Sequence, residues 1–147
     1  MSGLFGTDSA PAQTLDDQDQ ALVRAYVAAG RTLDDLPYTA EFEAIFKAVG
    51  GEETGRDRRA VFHRLHNLRK AKKLPRLGKA SEPPPHILPE DESLLGTLVV
   101  ERVGTLGQRD QLPYDTRFDD LVQVFGARSG RGLSQRDVWR LVAKLAK

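Results

Sequence analysis

The stretch "RDRRAVFHRLHNLRKAKKLPRLGK", residues 56–79, gathers most of the side chains that point to chemistry. On a helix with Val61, Phe62, Leu65 and Leu68 facing a core, Arg59, His63, His66, Lys70 and Lys73 fall on one outward stripe, because the helical period returns these positions to the same face. Arg58, Arg69, Lys72 and Arg76 complete the set. A row of cations suits a phosphate backbone, since each phosphate neutralised by Lys or Arg releases a condensed counterion. Arg also matches guanine edges if a helix enters a major groove. A sparser set recurs near the C-terminus: Arg136, Arg140, Lys144 and Lys147, with Arg128 and Arg131 just before them. The expected partner is therefore a nucleic acid, DNA or RNA, bound without catalysis by these two basic segments.

Charge by segment sharpens both this reading and its rival. Residues 1–55 hold 3 Lys/Arg against 10 Asp/Glu (net −7), and residues 56–81 hold 10 against 1 (net +9). Residues 82–127 hold 3 against 9 (net −6), and residues 128–147 hold 6 against 1 (net +5), so the chain totals +1. Twice, an acidic stretch precedes a basic one. Such blocks mark a binding surface when they stay exposed, and they cancel when the acidic half folds onto the basic one.

Other chemistry is poorly provided for. His63 and His66 have an i, i+3 spacing that can hold a metal, but His86 is the only other histidine and cysteine is absent. No carboxylate stands beside them on the helix, so no metal is expected. Asp16-Asp17, Asp34-Asp35 and Asp119-Asp120 are sequence neighbours and do not share a helix face. The glycines of "VGGEETGRD" and "FGARSGRG" lack the Lys-Ser/Thr that completes a phosphate cradle. No nucleophile–base pair stands out, so neither an enzyme nor a cofactor is expected.

The elements that must position these residues are written twice. Leu36-Pro37-Tyr38 returns as Leu112-Pro113-Tyr114, at an offset of 76. Phe42, Ile45, Phe46 and Val49 then align with Phe118, Leu121, Val122 and Phe125, each set at helical spacing. After one inserted residue, Val61, Phe62, Leu65 and Leu68 align with Val138, Trp139, Val142 and Leu145. Thr39, Asp57, Asp115 and Ser134 stand at N-cap positions, and Gly50 and Gly126 stand where a left-handed C-terminal cap belongs. Upstream, "LDDQDQALVRAYVAAG" and "EDESLLGTLVVERVGTLG" each read as a further helix, ending at Gly30 and Gly107. "TLVVERV" taken alone is rich in strand-forming residues, but its place in the repeat favours helix.

The expected architecture is all-α: two tandem three-helix modules related by internal repeat and joined by a Pro-rich linker. The boundaries are a flexible tail at 1–13, one module at 14–76, the linker at 77–89 and a second module at 90–147. Prolines 83, 84, 85 and 89 make the linker a semi-rigid spacer. "GGEETGR" and "GARSGRGL" are longer than the turn of a strict helix-turn-helix, which disfavours that motif. No apolar run is long enough for a membrane span and the N-terminus has no signal-peptide pattern, so a cytoplasmic protein without membrane contact is expected. The alternative function is a protein-interaction adaptor, with Tyr38 and Tyr114 on exposed loops forming a matched pair of docking patches beside the acidic first halves.

Overall fold

Short polar side chains start five of the six α-helices among the described residues. In the computed structural model, which describes residues 15–77 and 83–146, Asp16 caps α1 (Asp17–Ala29) and Thr39 caps α2 (Ala40–Ala48). Asp57 caps α3 (Arg58–Lys70), Asp115 caps α5 (Thr116–Ser129) and Ser134 caps α6 (Gln135–Leu145). Each cap oxygen accepts an amide N–H that the helix itself leaves unpaired, at 2.7–3.2 Å. The exception is α4 (Pro89–Val103), which begins with Pro89 in its first turn, where a missing N–H costs nothing. Two 3-10 segments, Leu33–Asp35 and Leu106–Gln111, follow α1 and α4. The described residues contain no strand. The tail 1–13, the spacer residues 78–82 and Lys79 and Lys147 lie outside the described residues.

Two helix ends differ from the sequence expectation. Helix α5 runs through Gly126 to Ser129 and is capped by Gly130, whose φ of 74° is left-handed. A glycine ends a helix only where the chain takes that conformation. Here Gly130 takes it, and Ser129 Oγ donates back to the Phe125 carbonyl at 2.6 Å, holding the last turn. Helix α4 stops at Gly104, φ 95°, rather than at Gly107, and "TLVVERV" lies within the helix.

The apolar stripes meet in one core. Phe42, Phe62, Phe118, Phe125 and Trp139 are fully buried, with Leu22, Leu65, Leu95 and Leu121 packed among them. Phe42 meets Phe62 edge-on with ring centroids 6.3 Å apart, and Phe118 meets Trp139 in the same way at 6.2 Å. Phe62 and Trp139 then touch edge-on at 6.3 Å, which joins the N-terminal and C-terminal halves of the chain through their largest side chains. The Trp139 indole N–H donates to the Asp34 carbonyl at 2.8 Å, so its polar edge is satisfied inside the contact.

The two Leu-Pro-Tyr loops close this interface reciprocally. The Tyr38 amide donates to the Tyr114 hydroxyl oxygen at 2.6 Å, and the Tyr114 amide donates to the Tyr38 hydroxyl oxygen at 2.7 Å. Their rings lie 4.5 Å apart, with Tyr38 stacked on Phe118 and Tyr114 on Phe42. Both tyrosines have left-handed backbone, φ 65° and 64°. With proline before them and the following amide bonded three residues back (Thr39 to Leu36, Asp115 to Leu112), they occupy the third position of a type II-like turn, normally held by glycine. A residue with a Cβ there costs roughly 1–2 kcal/mol, which the exchanged hydrogen bonds and ring stacking offset.

Candidate functional site

Ion pairs claim Arg58, Arg59, Arg131, Arg136, Arg140 and Lys144 among the cations that the sequence put on exposed faces. Within the N-terminal half, Arg58 lies bidentate on Glu43 (2.7–3.0 Å) and over the Phe46 ring at 4.5 Å. Arg64 grips Asp19, with Nε to Oδ1 at 2.9 Å, and that bond holds the Asp19 carboxyl below its usual pKa. Across the halves, Arg59 meets Asp115 at 2.9 Å, Arg109 meets Asp34 at 3.5 Å and Arg136 meets Asp35 at 3.6 Å. Asp115 is held below its ordinary pKa, first by its hydrogen bond from Arg117. In the C-terminal half, Arg131 bonds Asp91 at 2.8 Å and Lys144 reaches Glu92 at 3.9 Å. Arg140 contacts both Asp137, at 3.6 Å, and the Pro83 carbonyl. Of that basic set, Arg128 stays exposed with no carboxylate partner among the described residues.

His66 is a correction. It was expected on the outward stripe, yet only 4% of it is exposed and its ring packs edge-on against Phe62 at 4.8 Å. The helix turns about 100° per residue, which leaves His66 beside Leu65 and closer to the core than His63, which is exposed. Burial drives the His66 pKa down to about 4, against the pull of Asp110 and Asp34 and with the push of Arg69 and Arg109. It is a neutral core residue at neutral pH and contributes no cation to a phosphate surface. Its Nε2 lacks a partner, as do Asp34 Oδ1 and Arg109 Nε nearby. Among the described residues no group of three His, Cys, Asp or Glu converges as a metal site would need.

Tyr38 and Tyr114 are a second correction. They do not form separate exposed patches, because each is half-buried against the other and burial raises both hydroxyl pKa values. Their rings instead line a shallow cavity of about 380 Å³, with Arg58, Arg59, Asp119 and Gln135 around it.

What remains open is the end of α3 and the turn after it. Arg69, Lys70, Lys72 and Arg76 are exposed, and no described carboxylate lies within ion-pair distance of them. Lys73 is half-buried beside them. Lys72 has left-handed backbone, φ 61°, fixed by bonds from the Lys72 amide to the Arg69 carbonyl and from the Lys73 amide to the Leu68 carbonyl, both 2.9 Å. These bonds satisfy the Arg69 and Leu68 carbonyls in the last turn of α3. A cavity of about 650 Å³ opens there, between the end of α1 and this turn, and Arg69, Lys72 and Arg76 line it. Sequence reading found these cations but missed Tyr26, Thr32, Leu74 and Leu77, which share the cavity wall. The one available signal was the Leu-Pro-Arg-Leu run after the basic helix.

Comparison of the chain with family models, curated proteins and solved structures found no match. No described helix is long and apolar enough to cross a membrane.

Proposed function

We propose that this chain is a non-catalytic nucleic-acid-binding protein whose working surface is the C-terminal end of α3 and its turn. Arg69, Lys70, Lys72, Lys73 and Arg76 form that surface. The observation that carries the reading is that Arg69, Lys70, Lys72 and Arg76 lie exposed without a carboxylate partner among the described residues, in a fold that pairs most other described cations with acids; Arg69 meets only the neutral His66 ring, at 3.4 Å. A surface where positive charge is left uncompensated is one suited to recruiting phosphates.

The proposal includes an architecture. The chain is two copies of one three-helix module, at 14–76 and 90–147, with a Pro-rich spacer at 77–89, folded against each other about an approximate two-fold. The 76-residue spacing of the reciprocal Tyr38–Tyr114 bonds supports this. So do the matched contacts of Phe42 with Phe62 and Phe118 with Trp139. In this reading the second module is a scaffold, because its cations Arg131, Arg136 and Lys144 are spent on Asp91, Asp35 and Glu92. The adaptor alternative loses its exposed tyrosine patches and is not carried further.

The test is fluorescence anisotropy with labelled duplex DNA, single-stranded DNA and RNA across a salt series. Binding is expected with log affinity falling linearly in log salt. The Lys70→Glu/Lys73→Glu variant should bind at least about tenfold more weakly, with a salt slope smaller by about two. Absence of binding to all three probes at low salt would sink the reading.

A further inference from the structure

The cavity beside the α3 turn has the makings of a small-molecule site. Its volume of about 650 Å³ sits within the roughly 300–1,000 Å³ typical of such sites. Its lining includes Arg69, Lys72 and Arg76, three cations with no described carboxylate in ion-pair range, Arg69 lying 3.4 Å from His66 Nδ1. Leu33, Leu74 and Leu77 contribute apolar surface to the same lining. Thr32 adds a hydroxyl: it occupies the cap position of the Leu33–Asp35 segment but makes no capping bond. Tyr26 closes the wall; its hydroxyl is engaged with the Leu33 backbone and its pKa is raised by burial.

This mixed lining selects a ligand class. Two guanidinium forks and an ammonium lining one cavity with no described carboxylate beside them favour a group with several anionic oxygens over a single carboxylate. The leucines favour a body rather than a bare ion. At this end of α3 the Asn67, Leu68 and Arg69 carbonyls already accept the amides of residues 71–73. We infer that the cavity binds a phosphate monoester carried on a nucleotide, with the phosphate on Arg69, Lys72 and Arg76 and the nucleoside against Leu33, Leu74 and Leu77. The choice of a nucleoside body rests on the nucleic-acid reading; the phosphate does not. The same chemistry comes from a free mononucleotide or from the phosphorylated end of a strand.

Titration calorimetry of the full chain with adenosine 5′-monophosphate, adenosine and inorganic phosphate tests this. The monophosphate is expected to bind, with adenosine and inorganic phosphate each at least about tenfold weaker. Lys72→Gln with Arg76→Gln should abolish that binding, and Lys47→Gln, exposed on α2 and outside the cavity, should keep it. Both variants alter exposed side chains, and circular dichroism checks that they fold. Amide shifts in 15N NMR of the unaltered chain should cluster at residues 32–33 and 69–77. A 5′-phosphorylated oligonucleotide that binds more tightly than its hydroxyl-ended form, with the advantage lost in the double variant, would assign the ligand to a strand end. Equal binding of both oligonucleotides beside a binding monophosphate would assign it to a free nucleotide. No monophosphate binding at millimolar concentration, adenosine binding as well as its phosphate, or shifts centred elsewhere would each overturn the inference. Duplex binding that survives such a failure would leave the proposed function standing, and monophosphate binding without duplex binding would do the reverse.

Discussion

The ends of α3 and α6 follow from similar sequence and have opposite surroundings. Both helices start at a polar cap, bury an apolar stripe (four apolar residues on α3 and five on α6) and carry cations on the remaining faces. At α6 these cations meet acids: Arg136 lies on Asp35 across the interface and Lys144 near Glu92. At α3, Arg69 and Lys70 beyond the paired Arg64, and Lys72 and Arg76 in the tight turn that follows, have no described carboxylate within ion-pair distance. Whether a basic helix is a binding surface is thus decided by what packs beside it, not by its own composition.

The comparison can be broken at its base by separating the halves. Trp139→Ala should cost about 3–5 kcal/mol, since Trp139 is 1% exposed and joins Phe62 to Phe118. Thermal unfolding should remain a single transition at a lower midpoint. Two resolved transitions would mean that the halves are independent units and that α3 owes nothing to its neighbour.

Acid should act next most strongly, through the buried His66 on α3. Its folded pKa of about 4 lies below the ordinary 6.5, so the unfolded chain takes up a proton first. Stability is then complete above pH 6.5, falls as pH drops toward 4 and levels off below, by roughly 3 kcal/mol in all. The charged neighbours are Asp110, Asp34, Arg69 and Arg109, and rearrangement of these would reduce the effect. Chemical denaturation across this range, with His66→Phe as the comparison, measures it; a variant as pH-sensitive as the parent would place the cause elsewhere.

Smaller effects test the symmetry of the interface. Tyr38→Phe and Tyr114→Phe each strip an acceptor from the partner's amide and should cost about 1–3 kcal/mol apiece. Similar losses are expected, and a large disparity would show that the reciprocal bonds carry unequal loads. The smallest effect sharpens the comparison itself. Lys144→Glu on α6 should change nucleic-acid affinity by less than about twofold, because its charge is already shared with Glu92. A loss like that of Lys70→Glu/Lys73→Glu would put α6 on the binding surface after all.

Much of this molecule is local and was therefore readable from residue order. Helix positions, the caps at Thr39, Asp57, Asp115 and Ser134, and the buried stripes of α2, α3, α5 and α6 depend on neighbours within a turn or two of chain. The errors at Gly126 and Gly107 are also local: several glycines compete to end a helix, and the choice turns on which one takes the left-handed backbone. Tertiary structure alone decided the rest. Tyr38 and Tyr114 looked like loop residues until each became the other's hydrogen-bond acceptor across 76 residues of sequence. His66 looked like a surface cation until packing on Phe62 removed it from water. That no described carboxylate lies beside Arg69, Lys70, Lys72 and Arg76 is likewise a property of the assembled fold. Coulomb interactions depend on distance in space, and sequence order does not say which carboxylates come within a few ångströms of which cations.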